Sequence, residues 1–399
     1  MKIIGLHQGH DGAFCVLEDG VPTFHAESER YSRIKEEEVK NIWKFFTDIY
    51  GTDFNDIDYF VTSDRVGFYN TVAQDETIVK PDLTKQSNDP IFKDHLNLYD
   101  KGNDRMITIG HHTAHAANAF YSSNFEEALV LTLDGGGFET RIPQQENGRS
   151  TGRTAFWGSG NKIKDIDFNF GEPWGHIFAF QEGDGYPKPY IDMKTGLQLY
   201  TLDAEKMLGG HWYSELFNSI YVGQIWSRYT KFVFDLSTGP PHGHQAGTVM
   251  AMACMGNPSK HWGIMRQNPL HAIPILQQLV RSSQSQLSEE KIKYKGIEES
   301  RNKYDVAASL QAWTEVHVKS WINRIINQLD EQGKEVKNLC LSGGVFLNSV
   351  MVGKIDEWFP QIENVYVCPV PYDAGLSIGS SQYVYHHILG NDRIKWNDC

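Results

Sequence analysis

Apolar residues at the start of the chain fall into two short runs, Ile3 to Leu6 and Ala13 to Leu17, separated by the polar stretch Gln8 to Gly12. Glu18-Asp19-Gly20 then supplies a second turn, so this pattern predicts a β-meander whose first turn presents Gly9-His10-Asp11-Gly12. Asn41 to Ile49 has the spacing of an amphipathic helix, and Tyr59 to Ser63 reads as a strand. Two further runs, Ala128 to Leu133 and Val365 to Val370, are apolar on both faces, as strands buried inside an α/β sheet are. The clearest helix spans Asp305 to Leu329, where Val306, Leu310, Trp313, His317, Trp321, Ile325 and Leu329 recur every three or four residues. It leads into Leu339-Cys340-Leu341-Ser342-Gly343-Gly344, a strand and glycine pair, and then a helix start near Asn348. Residues 268–302 are polar and predict a peripheral helix. The charge-dense stretch Glu27 to Lys35 reads as a solvated loop or helix face. Between Gly152 and Asp235 aromatics are frequent; most belong in a core, and a few are expected to line a pocket for a sugar or flat ring.

Composition narrows the function classes. The 399 residues, 40% of them hydrophobic, can fill two domains or one large two-lobed body. A formal net charge of −13 disfavours a broad surface for long nucleic acid. The first ten residues lack the apolar core of a secretory signal and no apolar stretch is long enough for a bilayer, which predicts a cytoplasmic protein with no membrane partner. Cys15, Cys254, Cys340, Cys368 and Cys399 form neither a Cys-x-x-Cys pair nor a disulfide framework.

Candidate chemistry lies in three separated motifs. In His111-His112-Thr113-Ala114-His115 the first and last histidines are four apart, so a helix continuing through Ala114 to Phe120 stacks both imidazoles on one face. Asp134-Gly135-Gly136-Gly137 follows one buried strand and Asp373-Ala374-Gly375 follows the other, where side chains of an open α/β sheet face its ligand crevice. Two imidazoles and two carboxylates without thiolate suit a divalent ion such as iron(II), zinc or manganese. The plainer readings are a helix start with satisfied histidines and a simple Asp-Gly turn. Backbone amides at the Gly343-Gly344 junction suit a phosphate or ribose.

Seven segments occur in one order along the chain: Gly9-His10-Asp11, Ala26 to Lys35, His111 to Ala116, Asp134-Gly135-Gly136, Asp305 to Gln311, Ser342 to Asn348 and Asp373-Ala374-Gly375. In these the sequence resembles the O-carbamoyltransferase family known from nodulation-factor and antibiotic biosynthesis, within the sugar kinase, heat-shock ATPase and actin superfamily. The resemblance implies an α/β fold of two ribonuclease-H-like lobes, mixed sheets flanked by helices, with ligand and metal in the cleft between them. The lobes would span 1–126 and 127–399, with an aromatic-rich insertion at about 140–245, where matching is weak.

The resemblance also implies roles. His111, His115, Asp134 and Asp373 would hold the metal, iron(II) in most relatives. His10 and Lys35 would touch the carbamoyl and phosphate groups, with Arg33 beside them and Asp11 next to His10. Gly135, Gly136, Gly343, Gly344 and Asn348 would cradle a nucleotide, with Gly375 in the Asp373 motif. The expected reaction moves a carbamoyl group from carbamoyl phosphate, or from carbamoyl-adenylate made with ATP, to a hydroxyl of a sugar or natural product. A hydroxymethyl pyrimidine of a nucleotide or DNA is the alternative acceptor. Relatives carry Gly-Lys before a Met-Gly-Leu-Ala loop where this chain reads Ala246-Gly247-Thr248. Only twenty residues follow Gly379, so the chain reads as the transfer domain, served by a separate carbamoyl-adenylate-forming protein or using carbamoyl phosphate directly. The rivals are a threonylcarbamoyl-type tRNA-modifying transferase and a non-catalytic ATP-binding scaffold of the same fold.

Overall fold

A computed structural model of the protein describes residues 1–51, 53–63, 80–98, 105–139, 150–166, 189–192, 197–200, 222–236, 244–266, 269–284, 291–294 and 297–395. The opening meander is present as β1 (Lys2–His7), β2 (Ala13–Glu18) and β3 (Val21–Glu27), the third strand being one the apolar pattern does not announce because only its last residue is buried. β4 (Tyr59–Thr62), β5 (Leu96–Leu98) and β6 (Arg105–Thr108) complete a sheet of order β3-β2-β1-β4-β6-β5. β1 pairs antiparallel with β2, and parallel with β4, which pairs parallel with β6.

The second sheet repeats this plan. It contains β7 (Glu127–Phe138), β8 (Ser150–Ser159) and β9 (Lys162–Asp165), an antiparallel meander. Two hairpins, β10 (Pro189–Asp192) with β11 (Leu197–Tyr200) and β12 (Lys291–Tyr294) with β13 (Ile297–Ser300), stand apart from it. β14 (Asn338–Ser342) and β15 (Asn364–Val367) then add on parallel, giving the order β15-β14-β7-β8-β9. In each sheet the meander's first strand is central and two later strands follow parallel to it, β4 and β6 in the first and β14 and β15 in the second, with β5 added antiparallel at the edge of the first. The chain is thus α/β with two mixed sheets of the same design.

Helices cover the sheets where their apolar stripes dictate. α1 (Ile42–Tyr50) is capped by the Asn41 side chain and buries Ile42, Trp43, Phe45 and Phe46. α2 (His111–Ser122) is buried along its whole length. α3 (Arg301–Glu331) buries Val306, Leu310, Trp313, Trp321, Ile325 and Leu329 in the largest core, with His317 half-buried against Trp313. α4 (Leu376–Gln382) is wholly buried too, despite the sequence Leu-Ser-Ile-Gly-Ser-Ser-Gln, because its hydroxyls bond back to carbonyls three or four residues earlier, in the helix or the turn before it.

Two expectations need correction. Asp134 does not follow the end of its strand: β7 runs on to Phe138 through a register shift between Leu133 and Gly137, so the glycines extend the strand as a bulge instead of forming a turn. Residues 268–302 do not form one peripheral helix. Their first half is the helix Pro269–Gln284, which buries Ala272, Ile273, Leu276 and Val280 in the main core, and their second half contains the β12–β13 hairpin. Among the aromatics, Trp226 and Tyr229 are core, donating to Thr314 Oγ1 at 2.8 Å and to the Pro269 carbonyl at 2.6 Å. Trp174, Phe178, Phe180, Tyr186, Trp212 and Tyr213 lie outside the described residues.

Glycine decides how closely α4 packs. A methyl group on Gly379 would fall 1.8 Å from the Ala114 carbonyl oxygen of α2, and one on Gly5 would fall 1.8 Å from the Ser377 carbonyl oxygen. Backbone therefore meets backbone on both sides of α4, and neither neighbour has a flexible end that could yield. By contrast Gly247, in the helix Ala246–Ala253, has open space where its side chain would be. Urea unfolding should show Gly379→Ala destabilised by about 3 kcal/mol, as overpacking is. Gly247→Ala should be stabilised by up to about 1 kcal/mol from helix propensity.

Candidate metal centre

Four side chains distant in sequence converge where the two sheets face α2 and α4. His111 and His115 come from the first turns of α2, Asp134 from the bulge of β7, and Asp373 from the 3-10 turn that precedes α4. All four are buried, and one donor atom from each lies within 4.8 Å of the others. His111 Nε2 is 3.3 Å from Asp134 Oδ2 and 3.7 Å from Asp373 Oδ1, and His115 Nε2 is 3.3 Å from that same Oδ1.

The donor set fits a cation. An ion with bonds of about 2.1 Å holds tetrahedral donors about 3.4 Å apart, close to these separations. His115 Nε2 is buried without a hydrogen-bond partner, an arrangement that leaves an imidazole lone pair to bind something else. Its other nitrogen, Nδ1, is 3.3 Å from Ser342 Oγ, which fixes the ring. Asp134 Oδ1 accepts the Gly344 N–H at 3.0 Å, leaving Oδ2 turned to His111. The His111 ring lies on Gly137, where a methyl group would fall 2.0 Å from Cγ.

Charge follows from this packing. Burial lowers the His111 imidazole, but the Asp373 and Asp134 carboxylates outweigh it and raise the group to about 9. Burial and Asp373 push the Asp134 carboxyl up, yet the hydrogen bond and charge of His111, with His115, hold it down at about 2. Asp373 likewise stays well below the usual carboxylate range, because His10, His111 and His115 outweigh its burial.

His10 closes one edge of the cluster. It lies in the turn after β1, with Nε2 at 3.2 Å from Asp373 Oδ2 and Nδ1 at 3.0 Å from Asp11 Oδ2. Asp373, Asp11 and Asp134 overcome the desolvation of the ring and raise it to about 10. Its side chain is nevertheless 65% exposed, so a ligand in the crevice can reach it.

The other anticipated residues have more local partners. Lys35 Nζ donates to the His244 carbonyl at 2.9 Å, while the Glu36 carboxylate accepts the His244 N–H. Arg33 ends the short helix Ser28–Ser32 in a left-handed conformation. Gly343, at φ 101°, donates to the Pro371 carbonyl and has no space for a side chain against Leu133. Gly135 has no described atom within 4 Å on its side-chain side, while its backbone packs against Gly223; Gly136 occupies the positive-φ region at 144°. Asn348 caps the helix Ser349–Val352 and exchanges two hydrogen bonds with Gln311. Gly375 is pressed against Val370 and Asn118.

Sequence reasoning misses several participants. His7, at the end of β1, bonds Ser63 Oγ and the His10 carbonyl and stands 4.0 Å from Asp373 Oδ2. Tyr372, next to the Asp373 ligand position, donates to Glu27 Oε1 at 2.8 Å. Glu139 bonds the start of α2. Alternation marks His7 as a strand residue only, and nothing local marks Tyr372 or Glu139.

Over residues 2–382 the chain matches the family described as Carbamoyltransferase N-terminus. It is 25% identical over 393 residues to the nodulation protein NolNO of Sinorhizobium fredii, covering 93% of this chain and 46% of that protein. It is 27% identical over 286 residues to the uncharacterized protein sll1178 of Synechocystis, covering 71% and 37%. The chain therefore spans less than half the length of these curated relatives. Of solved structures, HypF of T. kodakarensis aligns with 98% of this chain and 48% of its own at 13% identity and a TM-score of 0.45. Among the described residues no helix is long and apolar enough to cross a membrane.

Two outcomes are expected of the cluster. His111→Ala and Asp373→Ala should remain folded by circular dichroism but lose at least about tenfold in affinity for added iron(II) or zinc. In metal-free protein, His10 and His111 have pKa values raised above the ordinary 6.5, so their stabilisation is complete below that value and is lost as pH rises through about 9 to 10. The depressed aspartates act oppositely, stabilising above their ordinary 3.8 and losing this as pH falls. Thermal melts of chelator-treated protein should show a lower midpoint at pH 10 than at pH 7, with a smaller difference in a His10→Ala/His111→Ala variant.

Proposed function

Since the chain belongs to the family described as Carbamoyltransferase N-terminus, we propose that it transfers a carbamoyl group to an acceptor hydroxyl at the His111, His115, Asp134 and Asp373 cluster. The observation that carries this reading is the position of His10: an accessible imidazole within 3.2 Å of the Asp373 carboxylate whose other oxygen faces both histidines of α2. A site made for structural metal alone has no use for a cationic side chain open to the crevice at its edge.

A divalent ion bound by the four residues, iron(II) by preference, would supply Lewis acidity toward the donor's carbonyl or phosphate oxygen. The chain's own groups do the rest. His10, a cation held through Nδ1 by Asp11, turns its Nε2–H from Asp373 to the carbamoyl oxygen as negative charge grows there. Lys35 is half exposed; its ammonium donates to the His244 carbonyl at 2.9 Å and lies 3.7 Å from Glu36 Oε1, and a donor phosphate carrying more negative charge can compete with both partners. Arg33 adds positive charge to the same loop. As the acceptor oxygen bonds to the carbamoyl carbon, the bond to the phosphate oxygen breaks. The departing phosphate takes that electron pair and the hydroxyl proton.

Carbamoyl phosphate and carbamoyl-adenylate both present the required leaving phosphate. The adenylate would be made with ATP here or by a partner protein. The acceptor we propose is a hydroxyl of a sugar or natural product, with a hydroxymethyl pyrimidine as the second candidate. Mass spectrometry of iron-loaded protein with carbamoyl phosphate, with and without ATP, should give an acceptor heavier by one carbamoyl group. His10→Ala should lower kcat by about 10²- to 10³-fold with metal content unchanged. Absence of product with every donor and acceptor class, in metal-loaded protein, would overturn the transferase reading.

A further inference from the structure

α2 begins without a cap of its own. Its N-cap residue is Gly110, which has no side chain to receive the first amides of the helix, and a buried helix start needs partners for them. Glu139 supplies these partners from another element. Its Oε1 accepts the His112 and Thr113 N–H groups and its Oε2 accepts the Thr113 hydroxyl at 3.0 Å. Glycine at 110 is required for this, since a methyl group there would fall 2.3 Å from Glu139 Oε2.

The place of Glu139 in the chain gives the contact a second meaning. It stands five residues after Asp134, directly past the end of β7, so the strand that presents one metal-type carboxylate also grips the helix that presents both imidazoles. Between the two, Gly137 lies flat under the His111 ring. The sequence Asp-Gly-Gly-Gly-Phe-Glu is therefore a clamp with a ligand at one end, a bare backbone seat for His111 in the middle and an anchor on α2 at the other. The Glu139 carboxylate also lies at the positive end of the α2 dipole.

We propose that Glu139 is the positioning residue of the metal centre, holding the Asp134 strand and the His111/His115 helix at the spacing and charge a divalent ion requires. This rests on the metal reading of the cluster given above. Residues that orient ligands in this indirect way typically change metal affinity by about 10- to 100-fold when altered.

The opposite end of α2 provides a control. Arg393 donates to the Phe120 carbonyl at 2.8 Å and the Ser123 carbonyl at 2.7 Å, and also to that of Phe125. It caps the same helix far from the ligands. Cobalt(II), whose visible spectrum reports coordination, should be titrated into full-length wild-type protein, Glu139→Gln, Glu139→Asp and Arg393→Gln, with thermal melting of each metal-free form. Glu139→Gln keeps the shape and an acceptor for the amides but removes the charge. We expect its cobalt(II) dissociation constant to rise at least about tenfold with an altered spectrum, Glu139→Asp to retain the charge and fall between it and wild type, and Arg393→Gln to lower the melting temperature with cobalt(II) affinity unchanged. Wild-type affinity and spectrum in Glu139→Gln would overturn the proposal and leave the metal reading intact. Failure of the wild-type protein to bind cobalt(II) would overturn the metal reading, and the proposal with it. If Glu139→Gln does not fold, wild-type affinity in Glu139→Asp at a lowered melting temperature would reduce Glu139 to a helix cap.

Discussion

The contact of α4 with its neighbours is what the remainder of the site depends on. α4 is a seven-residue helix buried on all sides, and it meets β1 at Gly5 and α2 at Gly379 through backbone atoms alone. Asp373 leads into this helix, and its two oxygens reach His10, His111 and His115, which come from β1's turn and from α2. The same packing that brings α4 between the two elements therefore brings its leading carboxylate between their imidazoles. Moving any one of the three would separate the donors. The hydroxyls of Ser377, Ser380 and Ser381 turn inward to carbonyls of the helix or the turn before it, which makes so polar a segment compatible with full burial.

The repeated sheet plan explains why these residues and no others meet. His10 follows the first strand of one sheet, and Asp134 sits in the bulge of the first strand of the other. His111 opens the helix after β6, and Asp373 precedes the helix after β15. Each sheet contributes one group from its central strand and one from the strand-to-helix junction. The groups that follow the first sheet's strands are imidazoles, and those that follow the second sheet's strands are carboxylates.

Much of this was legible in the sequence. The meander, α1, α3 and the buried strands follow from apolar spacing, and the four metal-type residues were found because each sits next to such an element. What escaped has physical reasons. β3 is largely exposed and lacks an apolar face. α4 is not announced by the sequence, since serines and glycine are poor evidence of a buried helix until its backbone contacts are known. The glycines after Asp134 are chemically identical whether they turn, bulge or cradle a phosphate; only the His111 ring lying on Gly137 distinguishes these. The pairing of Asn348 with Gln311 joins two distant segments, and no local pattern announces it.

The loop that carries Lys35 differs in kind from the centre beside it. Arg33 and Glu36 both take positive φ, at 67° and 57°, which costs side-chain-bearing residues roughly 1 kcal/mol each. The loop is tied across to His244 by polar contacts on exposed groups, and these exchange readily with water or with an anion. The molecule thus joins a rigid keel, in which backbone locks against backbone, to a sprung latch whose fastening, on the proposed function, would compete with a donor phosphate. Selectivity for the donor would then be exercised at the latch, in how readily a phosphate can unfasten it, while the keel stays fixed from one turnover to the next.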